Sequence, residues 1–259
     1  MIFFFKKNTG IEKNTYLCRL YSIMHNFLLI ETSSEVCSVA VSFHDKVVSI
    51  REDIDCKSHI SVITTMIEAC IKEAGIEYEQ LSAIGLSQGP GAYSSLRTGA
   101  GVAKGLCFAL DIPLVAVDTL QALAWGAAQQ SQKKNVLYLA MLDARRDEVW
   151  LAAYDDDNHL IRAAEPLILI DNNLNEYIKS TSKNKNADIF FCGNATPKVQ
   201  KTTPAKDTTF TFGEMKCSAK NLVKIVNDNY GLGLKENLNT FNPTYMKPPN
   251  ITASSKKLI

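Results

Sequence analysis

The chain has 259 residues, of which 46% are hydrophobic and 21% are charged, and its net charge is +1. This length accommodates one large domain or two lobes, and the near-neutral charge excludes a global field that would recruit nucleic acid or a membrane surface. The seven cysteines include no Cys-x-x-Cys pair, which favours a cytoplasmic location over a disulfide framework or a zinc knuckle. No run of about 20 apolar residues is present, so the sequence predicts no transmembrane helix.

The N-terminal segment has too short an apolar run for a secretory signal. Only five apolar residues precede Lys6 and Lys7, whereas a signal peptide needs about 7–15. We therefore expect residues 1–23 to be a disordered extension, or sequence upstream of the native start site.

The first half predicts three antiparallel strands followed by alternating helices and strands. Short polar turns separate the first three apolar runs, which is typical of a meander. Ser58 is a candidate helix cap and Gly75 a helix stop. The predicted strands cover 27–30, 37–43, 46–53, 83–87 and 113–118, and the predicted helices cover 58–75, 94–110 and 119–130. This order favours a mixed sheet with helices on both faces.

The second half begins near residue 131 and has a weaker pattern. We expect strands at 136–143, 148–154 and 159–165, exposed loops at 183–186 and 200–209, and a helix at 218–227. The domain prediction is a first lobe at 24–130, a second and degenerate lobe at 131–245, and a C-terminal tail at 246–259. The spacing alone establishes no internal repeat.

Two loops have the composition of phosphate-binding loops. In the first, Gly89 and Gly91 precede a helix that begins near Ser94, so backbone N–H groups and the helix dipole favour an anion. The dinucleotide fingerprint is incomplete, because Ser94 replaces the third glycine and Pro90 lacks an N–H donor. The chain contains no Walker A motif. The alternative is a loop that only sets the direction of the following helix.

The second loop is Glu31-Thr32-Ser33-Ser34, between a buried strand and a hairpin. Small hydroxyl residues at this place bind phosphate in actin-like and sugar-kinase ATPases, which usually carry an aspartate there to organise magnesium. Because the acid here is Glu31, an ordinary hairpin turn is an equally good interpretation.

The sequence disfavours two other kinds of site. Ser87 lies in a Gly-x-Ser-x-Gly pattern, but the helix does not follow directly, and the only later histidine, His159, opens a predicted strand. His59 has no histidine one helical turn later, where Ile63 stands, and none of the other histidines lies near a cysteine at ligand spacing. We therefore predict no serine hydrolase and no metal site.

Four segments together resemble the TsaB family: Leu28–Val41, Gly89–Leu106, Pro113–Ala124 and Asp143–Trp150, with a further match at Pro243–Lys247. The resemblance is strongest over residues 24–130. It implies an α/β fold of the actin-like ATPase (ribonuclease H-like) class, with two lobes of mixed sheets and a reduced second lobe. It also implies a scaffold without catalytic activity of its own, in the complex that adds threonylcarbamoyl to the adenosine beside the anticodon of tRNAs reading ANN codons.

The resemblance also implies the partners. These are the catalytic paralogue TsaD, the ATPase subunit TsaE, a second copy of the chain, and tRNA indirectly. The complex uses ATP, while this subunit requires no cofactor. The paralogue carries a metal-binding pair of histidines on its first helix, where this chain has only His59.

Two long helices are predicted to form the contact between subunits, because each has apolar or small residues on more than one face. We expect Tyr93 and Arg97 to position the start of the second helix. The predicted contact residues are Ile63, Met66, Ile67, Cys70, Gly99, Ala100 and Ala103. Alternatively, both helices are sandwiched within one chain. The other functions considered are a stand-alone ATPase or phosphotransferase and a peptidase.

Overall fold

A computed structural model describes residues 25–54, 56, 58–170, 172–182, 187–202 and 210–247. The predicted N-terminal extension lies outside these residues, as does the predicted tail apart from Met246 and Lys247. None of the described helices combines the length and apolar character needed to cross a membrane.

The first sheet has five strands in the order β3-β2-β1-β4-β5. Its strands are β1 Asn26–Glu31, β2 Cys37–Phe43, β3 Lys46–Asp53, β4 Ala83–Gly89 and β5 Leu114–Asp118. The first three pair antiparallel, and β4 and β5 join in parallel beside β1. The predicted meander and the mixed sheet are confirmed.

Three helices follow the strands of this half: α1 His59–Ala74, α2 Tyr93–Leu110 and α3 Thr119–Ser131. Gly75 ends α1 in the left-handed region, with φ 67°, as a glycine C-cap allows. Ser58 occupies the N-cap position of α1, but its side chain makes no capping hydrogen bond. Instead, its carbonyl oxygen accepts a hydrogen bond from Ser61 Oγ at 2.7 Å.

The second sheet repeats the topology of the first. Its order is β10-β9-β6-β7-β8, so an antiparallel meander is again extended by two parallel strands on the side of its first member. The elements are β6 Val136–Asp143, β7 Glu148–Tyr154, β8 Leu160–Ile168, α4 Asn173–Thr181, β9 Asp188–Cys192, α5 Thr196–Thr202, β10 Phe210–Gly213 and α6 Val223–Gly231. The structure thus reveals an internal repeat that spacing did not.

The helices tie the two sheets together. Helix α3 lies between them, and Leu120 and Leu123 pack in one cluster with Tyr138 of β6. Helix α6 comes from the second half of the sequence but covers the first sheet, where Val226 packs with Leu29. The predicted helix at 218–227 is therefore a 3-10 turn, Ala219–Leu222, followed by α6.

Helices α1 and α2 cover the opposite face of the first sheet. Their inward residues form a single core with β1, β2 and β4. The two helices run side by side with their N-terminal ends together, since Ser95 Oγ lies 3.4 Å from His59 Nδ1.

Candidate functional site

The two candidate phosphate loops pack directly against each other. The backbone N–H of Ala92 donates to the Ser33 carbonyl oxygen at 2.7 Å. A Cβ atom added at Gly91 would lie 2.7 Å from Ser33 Cβ, so Gly91 is needed for close approach. The two loops are therefore in direct contact at Gly91 and Ser33.

The carboxylate of Glu31 stabilises the contact between the two loops through hydrogen bonds. Its Oε1 atom accepts hydrogen bonds from the backbone N–H of Ser33 at 2.7 Å, from Ser33 Oγ at 2.6 Å and from Ser87 Oγ at 2.8 Å. The residue is buried. Burial raises the pKa of the Glu31 carboxyl above its usual range, although the hydrogen bonds from Ser33 and Ser87 act in the opposite direction.

Thr32 joins the loop to helix α2. Its backbone N–H donates to Ser87 Oγ at 3.4 Å, while its buried Oγ1 has no hydrogen-bond partner among the described residues. A Cβ atom at Gly99 would lie 3.3 Å from Thr32 Cβ and closer still to its hydroxyl oxygen. Gly99 therefore provides room for Thr32. In the same loop, the Ser34 hydroxyl accepts a hydrogen bond from the backbone N–H of Val36 at 3.3 Å.

The C-terminal segment covers the outer side of the glycine loop. Gly89 has φ 114°, and the Gln88 carbonyl beside it accepts from the Thr244 N–H at 2.7 Å. The Tyr245 ring lies 4.6 Å from the ring of Tyr93, whose hydroxyl accepts from Arg97 Nη1 at 3.0 Å. The structure thus brings Tyr93 and Arg97 together at the start of α2.

Asn194 links the two lobes, and sequence reasoning missed it. Its Oδ1 accepts from the Asp143 backbone N–H, and its Nδ2 donates to Glu35 Oε2, both at 2.9 Å. It follows Gly193, whose φ of 116° matches the 114° of Gly89. A second glycine at the end of a matching strand was the available signal. Lys247 also pairs with Glu148.

The environment of Ser87 does not resemble that of a serine nucleophile. Its hydroxyl donates to Glu31 and accepts from the Thr32 N–H, and the side chain is buried. His159, the one candidate base, pairs instead with Asp155 in the turn before β8.

The prediction of no metal site did not take account of two cysteines near His59. One ligand atom each from Cys37, Cys56 and His59 lies within 4.8 Å of the other two. Burial, with a contribution from neighbouring Cys56, raises the pKa of the Cys37 thiol to about 12. The signal was available as Cys56-x-x-His59, which places Cys56 in the connection just before α1 and His59 at its first residue.

The predicted contact residues require a correction. Six of the seven are buried in the core of the first lobe, and Met66 is half-buried. The buried six are Ile63, Ile67, Cys70, Gly99, Ala100 and Ala103. Helix α2 does carry two stripes of apolar or small residues, whereas the exposed face of α1 is polar apart from Ile60. The stripe chosen from the sequence is the one that faces the sheet.

The opposite stripe is solvent-exposed in the single chain. Ile60 is 72% exposed and Phe108 84% exposed. A Cβ atom added at Gly101 or Gly105 would meet nothing within 4 Å. These two glycines are one helical turn apart, so they lie on one face of α2. We call Ile60, Gly101, Gly105 and Phe108 the outer helix face.

A cavity of about 730 Å³ lies elsewhere, between α3 and the 3-10 turn and α6. Its lining includes Trp125, Gln129, Lys220 and Lys224. It does not include the residues of either candidate phosphate loop.

Comparison with known proteins identifies relatives of the whole arrangement. Residues 34–249 match the family model "TsaD: tRNA N6-adenosine threonylcarbamoyltransferase". The tRNA threonylcarbamoyladenosine biosynthesis protein TsaB of Haemophilus influenzae is 34% identical over 125 residues, which cover 48% of this chain and 52% of that protein. For the Escherichia coli protein of the same name the identity is 32% over 132 residues, covering 51% of this chain and 56% of the relative.

A solved structure agrees with these relatives. A Pseudomonas aeruginosa protein, described as uncharacterized and similar to peptidase YEAZ, is 25% identical and superposes with a TM-score of 0.74, covering 86% of this chain and all of that one. The chain spans about half the length of the curated relatives named above. The two repeated lobes confirm the predicted actin-like fold. The chain belongs to the family of the TsaD model, and within that family it is similar to the TsaB proteins.

Proposed function

We propose that this chain is a non-catalytic, pairing subunit in the threonylcarbamoylation of tRNA. Its relatives are named as tRNA threonylcarbamoyladenosine biosynthesis proteins, and its family model is named after the transferase itself. In this proposal a catalytic TsaD-type paralogue is the partner, with a second copy of the chain as the alternative. TsaE and the tRNA join the same complex without needing a site on this chain.

The outer helix face is the observation that carries the proposal. Phe108 is a large apolar side chain that is 84% exposed, and glycines without neighbours precede it on the same face of α2. Small residues allow a second helix to approach closely, and an exposed apolar patch favours a protein partner. A second pair of helices packed here would complete a four-helix bundle.

The two phosphate loops support the absence of catalysis in this subunit. The N–H groups of Ser33 and Ala92 both donate to groups of the chain itself. A phosphate would have to break these bonds to use the same donors. The stand-alone ATPase remains the alternative function, and sustained turnover of ATP by the purified chain would support it.

The decisive experiment adds a bulky charge to the outer helix face. Gly105→Arg places its side chain in open space and replaces a helical glycine by a better helix former, which favours the folded chain by about 0.5–1 kcal/mol. We expect pairing, measured by sedimentation with and without the transferase of the same organism, to weaken tenfold or more.

Gly231→Arg is the matched control. It also replaces a glycine whose added Cβ would meet nothing, at the end of α6 on the other side of the first sheet. Pairing should be unchanged in this variant. If Gly105→Arg folds, as judged by circular dichroism, and pairs as tightly as the parent, the contact lies elsewhere and the proposal fails.

A further inference from the structure

Three candidate metal ligands meet at the start of α1, where His59 is buried and the next residue, Ile60, belongs to the outer helix face. Cys37 is the first residue of β2, His59 is the first residue of α1, and Cys56 lies in the connection between β3 and α1. The structure brings their ligand atoms within 4.8 Å of one another. Residues from three separate places in the fold thus meet at one point.

The spacing is close to that of a metal site. With Zn–S bonds of about 2.3 Å and Zn–N bonds of about 2.0 Å at tetrahedral angles, ligand atoms lie roughly 3.5–3.8 Å apart. Since the ligand atoms all lie within 4.8 Å of one another, a zinc ion would require a contraction of at most about 1 Å. Cys56 is in a connection and only half-buried, so it can supply this movement without disturbing a strand or helix.

The ring of His59 is already oriented by a second bond. Its Nε2 atom lies 3.2 Å from the carbonyl oxygen of Val36. A carbonyl can only accept, so Nε2 carries the proton and Nδ1 keeps its lone pair. A histidine that ligates a metal commonly donates its other N–H to such a carbonyl. The hydroxyl of Ser95, 3.4 Å from Nδ1, is a weak competitor for that lone pair.

We propose that Cys37, Cys56 and His59 bind one zinc ion, with water as the fourth ligand. Two thiolates and an imidazole select Zn²⁺ over Mg²⁺ or Ca²⁺. Binding would release one proton from each thiol, and the two thiolate charges would balance the ion, so no net charge would be buried. The ion would join β2, the β3–α1 connection and α1, and the water would leave one coordination position exchangeable. This site is a cysteine-rich cluster, not a pair of histidines, and it is independent of the proposed pairing.

Cobalt is the probe for the first test. The full chain, stripped of metal under reducing conditions, is titrated with Co²⁺, and the thiolate-to-cobalt charge-transfer absorption is recorded. We expect saturation at one ion per chain, displacement by Zn²⁺ and no effect of Mg²⁺. Cys56→Ser should abolish the absorption and weaken Zn²⁺ binding by at least about tenfold. Cys107→Ser is the control, because this buried cysteine lies outside the cluster.

A second measurement needs no variant and so does not depend on mutant folding. Alkylation of the parent chain is followed cysteine by cysteine with and without Zn²⁺. Zinc should slow the modification of half-buried Cys56 severalfold. An unchanged rate at Cys56, or cobalt bound without thiolate absorption, would overturn the proposal. Thiolate absorption that is undiminished in Cys56→Ser would do the same.

Discussion

At the scale of single residues, the contact between the two phosphate-type loops requires glycines, which have no side chain, at two positions. Gly91 lets the second loop lie against Ser33, and Gly99 leaves room for Thr32. Glu31 then satisfies the donors that this contact buries. A buried hydrogen-bonded carboxylate of this kind fixes one arrangement of two loops.

We expect Gly91→Ala to destabilise the fold by about 1–3 kcal/mol, because the new Cβ atom would overlap the backbone and side chain of Ser33. Chemical denaturation measures the loss. Gly231→Ala, where an added Cβ meets nothing, should be neutral or slightly stabilising. Equal stabilities for the two variants would mean that the loops separate at little cost.

The buried carboxyl of Glu31 predicts a specific pH dependence. Because burial raises the pKa of Glu31 in the folded chain above its ordinary value of 4.5, the folded state holds this proton more tightly than the unfolded state. Its contribution to the free energy of unfolding therefore decreases as the pH rises from about 4.5 through the raised pKa, and is constant above it.

Glu31→Gln removes this titration. The free energy of unfolding of the variant, measured from pH 4 to 8, should fall less steeply over that window than that of the parent. Asp118, whose pKa is also raised by burial, is present in both proteins and cancels in the comparison. Identical slopes would show that Glu31 does not titrate differently on folding.

At the scale of secondary structure elements, α2 has two faces made of small residues with opposite roles. Ala103 is fully buried against the first sheet, while Gly101 lies two residues away on the outer side. We expect Ala103→Leu to destabilise the chain by about 1–3 kcal/mol through overpacking. Gly101→Ala should stabilise it by about 0.5–1 kcal/mol. Thermal unfolding of the two variants decides, and a stabilised Ala103→Leu would reverse the assignment of the faces.

The secondary structure elements differ in how well the sequence predicts them. The pattern in the first half fixed β2, β3 and both ends of α1 to within a residue, because strong apolar periodicity is bounded there by turns and by Gly75. Period alone cannot say which of two apolar stripes faces a sheet. In the second half, α4 and α5 are 9 and 7 residues long, too short for a clear helical period, and β9 was missed with them.

For the candidate site too, only residues that are close in sequence could be predicted to lie together. Residues adjacent in sequence, such as Glu31 and Ser33, were identified together because they share one loop. Cys37 and His59, and equally Asn194 and Glu35, come together only through the sheet topology. No pattern within a short window contains that information.

At the scale of the whole molecule, the two sheets depend on each other's helices. Phe27 and Leu29 of the first sheet are covered by Leu222 and Val226, which follow the second sheet in the chain. Burial of such side chains is worth roughly 1.5–3 kcal/mol each. The lobes are thus not independent folding units, although each has its own sheet.

We therefore expect calorimetry of the full chain to give one cooperative transition, with the calorimetric and van't Hoff enthalpies equal. A fragment of residues 25–131 should fail to fold, since it lacks α6, and should bind a hydrophobic dye. Two resolved transitions, or a fragment with the near-ultraviolet dichroism of a packed core, would contradict this dependence.

The two lobes share a topology but differ in the length of their helices, and this difference bears on how many subunits could assemble. The first lobe presents helices of 16 and 18 residues, whereas their counterparts in the second lobe have 9 and 7. An actin-like chain with two equivalent contact surfaces, one on each lobe, could add further copies at both ends without limit. With one long helix pair, a two-fold symmetric contact would bury the same helix pair of both subunits and leave no second copy of that surface exposed. If the outer helix face is the pairing surface, as proposed, assembly through it would close at two subunits and would not grow into a filament.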